Sequence, residues 1–267
     1  MKWLKTVLGS SLLFSAVCWA QAAGSAPASN TQAINAQNEN NLCRIYFFNP
    51  KPDQVQQFEA GRKKHNQFHR SQNDTFTWNT WVIETGDNTG RYVTSTCGHA
   101  WKDFDAWENK MGKADAADAA ADMAPYVQGG SNGFYMYRAD MSLGPPNRPP
   151  TPRVAVTIYQ LKPGATNDFI ATIKKINDAL SKQPDWPKTS GWLQLLNGGE
   201  GPVFVLLNDR QNFAGFEPLP KSVRDALVEA GGEDSANQIM KSIADATAHI
   251  WTEEALYRPD LSYVPAK

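Results

Sequence analysis

The sequence predicts an α+β fold: two tandem βαββαβ repeats that close together into one pseudo-twofold α/β barrel. Three observations predict it. First, residues 51–90 slide onto 162–201 without a gap, at an offset of 111 positions, and eleven positions then carry the same residue. These are Lys51/Lys162, Pro52/Pro163, Phe58/Phe169, Ala60/Ala171, Lys63/Lys174, Lys64/Lys175, Asn66/Asn177, Gln72/Gln183, Asp74/Asp185, Trp81/Trp192 and Gly90/Gly201. Average residue usage would give roughly two or three by chance. A second echo closes each half, Tyr137-Arg138-Ala139-Asp140-Met141-Ser142 against Tyr257-Arg258-Pro259-Asp260-Leu261-Ser262. Second, each half reads as strand, helix, two strands, helix, strand. Third, such a unit places both helices on one face of a four-stranded antiparallel sheet and leaves the other face uncovered. For a duplicated unit, packing the two bare faces together covers both.

In the first half, Cys43 to Phe48 is a short β-prone run ended by Asn49-Pro50. Asp53 is placed to cap a helix running to about Ser71. Thr75 to Glu84 and Arg91 to Cys97 read as a hairpin around Gly86-Asp87-Asn88-Thr89-Gly90. Helical patterns follow over Trp101–Lys110 and Ala114–Tyr126, and a last strand over Phe134–Ala139. The second half repeats the order with a strand at Val154–Leu161 and a helix at Asn167–Ser181. A hairpin spans Trp192–Leu196 and Val203–Leu207, helices cover Lys221–Glu229 and Ser235–Ile250, and Ala255–Arg258 closes the half. The expected organisation is a signal peptide (1–22), a flexible leader (23–42), a first repeat (43–143), a Pro-rich linker (144–152) and a second repeat (153–264).

The ends and the composition narrow the function classes. Lys2 and Lys5 precede an apolar run from Val7 to Trp19 and small residues near Ala20 and Ala22, the pattern of a secretory signal. The run is short for a membrane span, and none follows that reaches membrane length. The expectation is a periplasmic or secreted protein with no membrane insertion. Of 267 residues, 26 are basic and 27 acidic; removing the signal leaves 24 bases. With no basic field to hold phosphate backbones, nucleic acid is not an expected partner. Two cysteines remain, Cys43 and Cys97. In an exported chain that count favours a disulfide. The topology agrees, because the first and third strands are antiparallel neighbours and Cys43 starts one where Cys97 ends the other.

The run Ile158-Tyr159-Gln160-Leu161-Lys162-Pro163-Gly164, followed by Phe169, resembles the opening of NIPSNAP-like and antibiotic-monooxygenase-like domains of the dimeric α/β-barrel (ferredoxin-like) superfamily. The resemblance covers the first strand and helix of each half, and the rest through strand order. It implies an architecture similar to that of cofactor-less oxygenases, haem-degrading enzymes, isomerases and proteins without known activity. It licenses no reaction by itself. The Asn–Trp–His pattern of haem degradases is absent at matching positions.

The differences between the halves point to a site. Phe169, Ile173, Ile176 and Leu180 form one apolar stripe at i, i+4, i+7 and i+11. The same positions in the first half are Phe58, Arg62, His65 and His69. Burying such groups unpartnered is costly, so either the first helix has rotated or these groups have something to bind. A rotated helix would bury Val55, Phe58, Gly61, His65 and Phe68 and move Arg62 and His69 to the flank. Otherwise His69, at the helix end, joins His99 beside the third strand, and three of four histidines fall in one half; His249 stands apart. Histidine carries protons near neutral pH and ligates metals, but Lys64 and Asn66 flank His65 where a metallopeptidase needs Glu. Trp78, matched by Thr189, is a candidate pocket wall, whereas Trp81 and Trp192 read as barrel packing. Lys63, Lys64 and Asn66 read as a solvated helix face, and Arg138/Asp140 and Arg258/Asp260 as structural ion pairs.

The leading expectation is a monomeric internal pseudo-dimer that binds a small organic ligand without a cofactor or metal. It would use Arg62 and Trp78 for binding, with His65, His69 and His99 as proton carriers in a cofactor-independent oxygenation or isomerisation. The alternatives are a non-enzymatic binding or interaction module of the cell envelope, and a metal- or haem-dependent enzyme using the clustered histidines.

Overall fold

The computed structural model describes residues 40–146 and 148–266. The signal segment and nearly all of the leader lie outside the described residues. Eight strands form a closed barrel: β1 (Leu42–Pro50), β2 (Asn79–Ile83), β3 (Tyr92–His99), β4 (Val127–Tyr137), β5 (Arg153–Leu161), β6 (Ser190–Asn197), β7 (Val203–Arg210) and β8 (Thr247–Tyr257). Their order around the barrel is β1-β3-β2-β8-β5-β7-β6-β4. Each half contributes a 4-1-3-2 antiparallel sheet, and the halves join edge to edge through β2·β8 and β4·β6. Closure removes every sheet edge, the exposure that would otherwise invite pairing with another chain. Among the described residues no helix is long and apolar enough to cross a membrane.

The helices lie outside the barrel: α1 (Val55–Ser71), α2 (Trp101–Trp107), α3 (Lys113–Asp122), α4 (Thr166–Ser181) and α5 (Val223–Ala246). A π-helical turn, Glu108–Gly112, joins α2 to α3. Helix α5 is broken at Gly232, whose φ of 80° no helix accommodates, so the two helices read in this stretch are both present. In the second half the α4 stripe packs as the sequence pattern requires: Phe169 and Ile173 meet Leu161, Trp192 and Phe204 in one buried cluster. The corresponding stripe of α1 is also buried. Arg62, His65 and His69 are 3%, 3% and 1% exposed, whereas Val55 is 36% exposed and Phe68 only partly covered. The helix has not rotated; its polar residues face the sheet.

Several expectations need correction. Asp53 does not cap α1, which starts after Gln54 without a side-chain cap. The last strands are longer than read: β4 begins at Val127 and β8 at Thr247, so the stretch through Ile250 belongs to a strand. Gly129, Gly130 and Gly133 blurred β4, and a polar–aromatic alternation on an exposed strand blurred β8. The gapless alignment of the halves also fails after the first helix. The Trp192 amide donates to Ser142 Oγ and its carbonyl accepts from the Arg138 amide; Thr80 makes the same pair of bonds with Ser262 and Arg258. Trp192 is therefore the counterpart of Thr80, an offset of 112. One inserted residue turns a side chain to the opposite face of a strand, so Trp192 packs under the helices while Trp81 points into the barrel.

The retained polar residues tie the halves together reciprocally. Arg138 and Arg258 each clasp the Asp two residues on, Asp140 and Asp260, with two hydrogen bonds of 2.8–3.0 Å. Lys63 of α1 reaches Asp260 at 3.1 Å, and Lys174 of α4 reaches Asp140 at 2.8 Å. Asn177 donates to the Met141 carbonyl, while in the other half Arg62 Nε donates to the Leu261 carbonyl at 3.2 Å. Lys63 and Lys64 are exposed, as a solvated helix face requires, whereas Asn66 is buried; Lys63, Lys174 and Asn177 also reach across the pseudo-twofold.

Candidate functional site

The strand alternation that buries one face under helices sends the other face into the barrel. Ile45, Phe47, Trp81, Val93, Tyr135 and Tyr137 come from the first half; Val154, Val156, Ile158, Leu193, Val205 and Leu207 come from the second. These side chains do not meet in the middle. They surround a cavity of about 780 Å³, within the range that takes a drug-sized molecule. Eight strands give a barrel wide enough for one small ligand when the inward residues leave room. Polar side chains also line the cavity, among them Asn79, Asn88, Arg91, Ser95, Ser131 and Glu253. Trp81 Nε1 is buried without a hydrogen-bond partner, Tyr137 donates to the Gly144 carbonyl at 2.7 Å and Tyr257 to Asn79 Oδ1 at 3.0 Å. Pro146, Arg148, Pro149 and Pro150 of the inter-repeat segment also line the cavity, and Arg148 is held there by an ion pair with Asp209.

The disulfide joins Cys43 to Cys97 across β1 and β3, at directly opposed positions, and forms part of the same wall. It was legible because strand order and cysteine count agreed.

On the other face of the first-half sheet lies a buried polar cluster. The Asp74 carboxylate accepts from the Phe76 amide at 3.0 Å, the Trp78 indole at 2.9 Å and the Trp107 indole at 3.1 Å. Its Oδ2 also stands 2.9 Å from His69 Nδ1. Burial pushes the Asp74 carboxyl up, but His69, the Phe76 amide and the Trp78 indole outweigh it and hold the group below the usual carboxylate range. His69 Nε2 is 3.1 Å from His65 Nε2, and His65 Nδ1 is 2.7 Å from Asp118 Oδ1. Asp115 Oδ1 lies 3.4 Å from His65 Nε2 and 3.6 Å from His69 Nε2. Arg62 completes the cluster; burial pushes its guanidinium down to about 10 while Asp115 opposes the shift.

The residues expected to form the site therefore divide. Arg62, His65, His69 and Trp78 are brought together between α1 and the sheet, and none of them lines the barrel cavity. They pack on one another: the His69 ring is 5.8 Å from Trp78 and 4.5 Å from His65. His99 stands apart, stacked on Phe76 at 3.8 Å and bonded to Thr96 Oγ1 at 2.6 Å, with Phe76 touching both it and Trp78. The sequence reading missed Asp74, Asp115 and Asp118. Asp115 and Asp118 were hidden in an alanine-rich helix that reads as solvated, although Asp115, Asp118 and Asp122 at i, i+3 and i+7 do mark one face. It also missed the cavity itself, since alternating apolar residues predict an inward face without saying whether it fills.

No protein-family model matches the chain, and no curated protein is significantly similar to it. Solved structures do match. An anthrone oxidase-like protein superposes with a TM-score of 0.52 at 9% identity, covering 87% of this chain and 96% of its own. A monooxygenase-like protein of Lactobacillus acidophilus NCFM gives 0.52 at 7%, covering 85% and 98%. Another from Fusobacterium nucleatum subsp. nucleatum gives 0.52 at 10%, covering 82% and 92%. At these identities the likeness is one of fold.

Proposed function

We propose that this chain, which has the dimeric α/β-barrel fold, binds a small, flat, largely apolar organic molecule inside its barrel, and that it does so as an exported protein. The observation that carries the reading is the hollow interior. A barrel evolved only for stability gains from filling its core, because an apolar void forfeits dispersion contacts with every lining atom. Trp81 Nε1 adds a donor able to meet one ligand oxygen, and the aromatic rings of Phe47, Tyr135 and Tyr137 suit a planar ligand. The disulfide fits an oxidising compartment. The cavity wall holds no histidine, so binding, rather than a histidine-driven oxygenation or isomerisation, is the function this site supports best.

The name of one structural neighbour supplies a probe of the right shape: anthrone, a flat tricyclic ketone. Titration followed by tryptophan fluorescence is expected to show saturable quenching at one site. Val156→Trp and Leu193→Trp, which fill the cavity from two strands, are expected to weaken binding at least tenfold while circular dichroism stays unchanged. Folded variants that bind anthrone as the parent does would remove the barrel as the site, and so would a parent chain that fails to bind it.

A further inference from the structure

We propose that His65, His69 and Asp115 form a binding site for one divalent transition-metal ion, of the Zn²⁺ or Fe²⁺ type, between α1 and α3. The argument starts from protons. Each histidine has its Nδ1 close to a carboxylate: His65 is hydrogen-bonded to Asp118 at 2.7 Å, and His69 lies 2.9 Å from Asp74, within ion-pair distance but out of line for a hydrogen bond. For His65 that hydrogen bond favours the ring proton on Nδ1 and frees Nε2 as a lone pair; for His69 the nearby carboxylate favours the same tautomer. The two Nε2 atoms nevertheless face each other at 3.1 Å. A third acceptor, Asp115 Oδ1, converges on the same point, buried and without any hydrogen-bond donor. Three atoms able to accept converge on one spot, a set that a proton or a metal cation would satisfy, and all three lie close enough to ligate one ion.

The dimensions suit a metal. Four ligands at about 2.0–2.2 Å in a tetrahedron stand roughly 3.3–3.6 Å apart. The three distances here are 3.1, 3.4 and 3.6 Å. Carboxylates behind both histidines form the outer shell that orients metal-bound imidazoles. Formal charge also balances: Asp74, Asp115 and Asp118 against Arg62 leave two negative charges, which a divalent ion cancels. Two imidazoles and one carboxylate select a first-row transition ion over Mg²⁺ or Ca²⁺, which prefer all-oxygen sites. An ion has a way in, because the Asp115 and Asp118 side chains are 21% and 25% exposed. The second half offers no counterpart, since Ile173, Ile176 and Leu180 occupy the matching positions. The site is separate from the barrel cavity and does not depend on the binding function proposed for it.

The test is equilibrium dialysis of the chelator-stripped full chain against Zn²⁺ or Co²⁺, with elemental analysis of bound metal. The expected result is one tight equivalent and, for Co²⁺, the visible absorption of a low-coordinate site; Mg²⁺ and Ca²⁺ are not retained. His65→Ala and His69→Ala abolish that equivalent, and His249→Ala, at an exposed histidine on β8, leaves it intact. Because the histidines are buried, the decisive variants are the partly exposed carboxylates. Asp115→Ala is expected to weaken binding at least tenfold, and Asp118→Asn by about 10–100-fold, with unchanged circular dichroism. Failure of the parent to bind either ion, or binding by Asp115→Ala and Asp118→Asn at parental affinity, overturns the proposal. Histidine nitrogen NMR signals of His65 and His69 that do not change when Zn²⁺ is added do so as well.

Discussion

At the scale of single residues, the first half gives up an apolar layer for a polar one, in which most groups are answered by another while Arg62 Nη2, Asn66 Oδ1 and Asp115 Oδ1 are buried without a hydrogen-bond partner. Where the second half buries Ile173 and Leu180 and partly covers Ile176, the first buries Arg62, His65 and His69, and Asp74 gathers two indoles, an amide and an imidazole around one carboxylate. Removing any one partner leaves a buried group unpaired, at a cost of about 1–3 kcal/mol. His99 gives the residue-scale prediction. Burial lowers its pKa below the usual 6.5, with Asp103 and Asp74 opposing only in part. The unfolded chain therefore takes up a proton at higher pH than the folded one. The stabilisation is fully present above about pH 6.5 and is lost as pH falls toward the folded value. Denaturant midpoints should fall between about pH 7.5 and 5.5, and less steeply in His99→Gln; identical slopes in the two proteins would contradict the burial argument.

At the scale of elements, the approach of α1 to α3 decides whether the histidines can meet Asp115 and Asp118. Gly61 sets that distance: a Cβ added there would lie 1.8 Å from the Asp122 carbonyl oxygen, a main-chain atom that cannot step aside. On an open helix face, Gly→Ala adds up to about 1 kcal/mol of stability. Here Gly61→Ala is expected to destabilise by about 2 kcal/mol or more, as overpacking does, and to impair metal binding by pushing α3 away. A stabilised Gly61→Ala with full metal affinity would show that the two helices are not held in this contact. The π turn before α3 sits where the chain must bring Trp107, Met111 and then Asp115 and Asp118 over α1. Such turns recur at functional positions.

At the scale of the whole molecule, one chain does what two identical subunits would do. β2 pairs with β8 and β4 with β6, and the lysines of each half's first helix pair with the aspartate that ends the other half. The cavity belongs to both halves equally, whereas the histidine cluster belongs to the first alone. The disulfide closes a loop of 54 residues within the first half. Replacing both cysteines by alanine is expected to lower stability by about 2–4 kcal/mol, read as a reduced melting temperature. A thiol assay of the unfolded, unreduced chain lacking residues 1–22 is expected to find no free thiol.

The sequence by itself determined the duplication, the βαββαβ order, the disulfide partners and the unusual stripe on α1. All four are written in local periodicity or in comparison of one half with the other. It did not determine the strand ends at β4 and β8, where glycines and exposed aromatics obscure the alternation. Nor did it reveal the single inserted residue that turns Trp192 away from the position of Trp81, because a gapless identity count cannot tell which face of a strand a residue occupies. Tertiary structure alone decided that α1 keeps its register, that α3 carries Asp115 and Asp118 onto the histidines, and that the barrel is hollow. Each depends on how far apart two packed surfaces come to rest. That distance is set by volumes summed over residues remote in sequence, which no local pattern records.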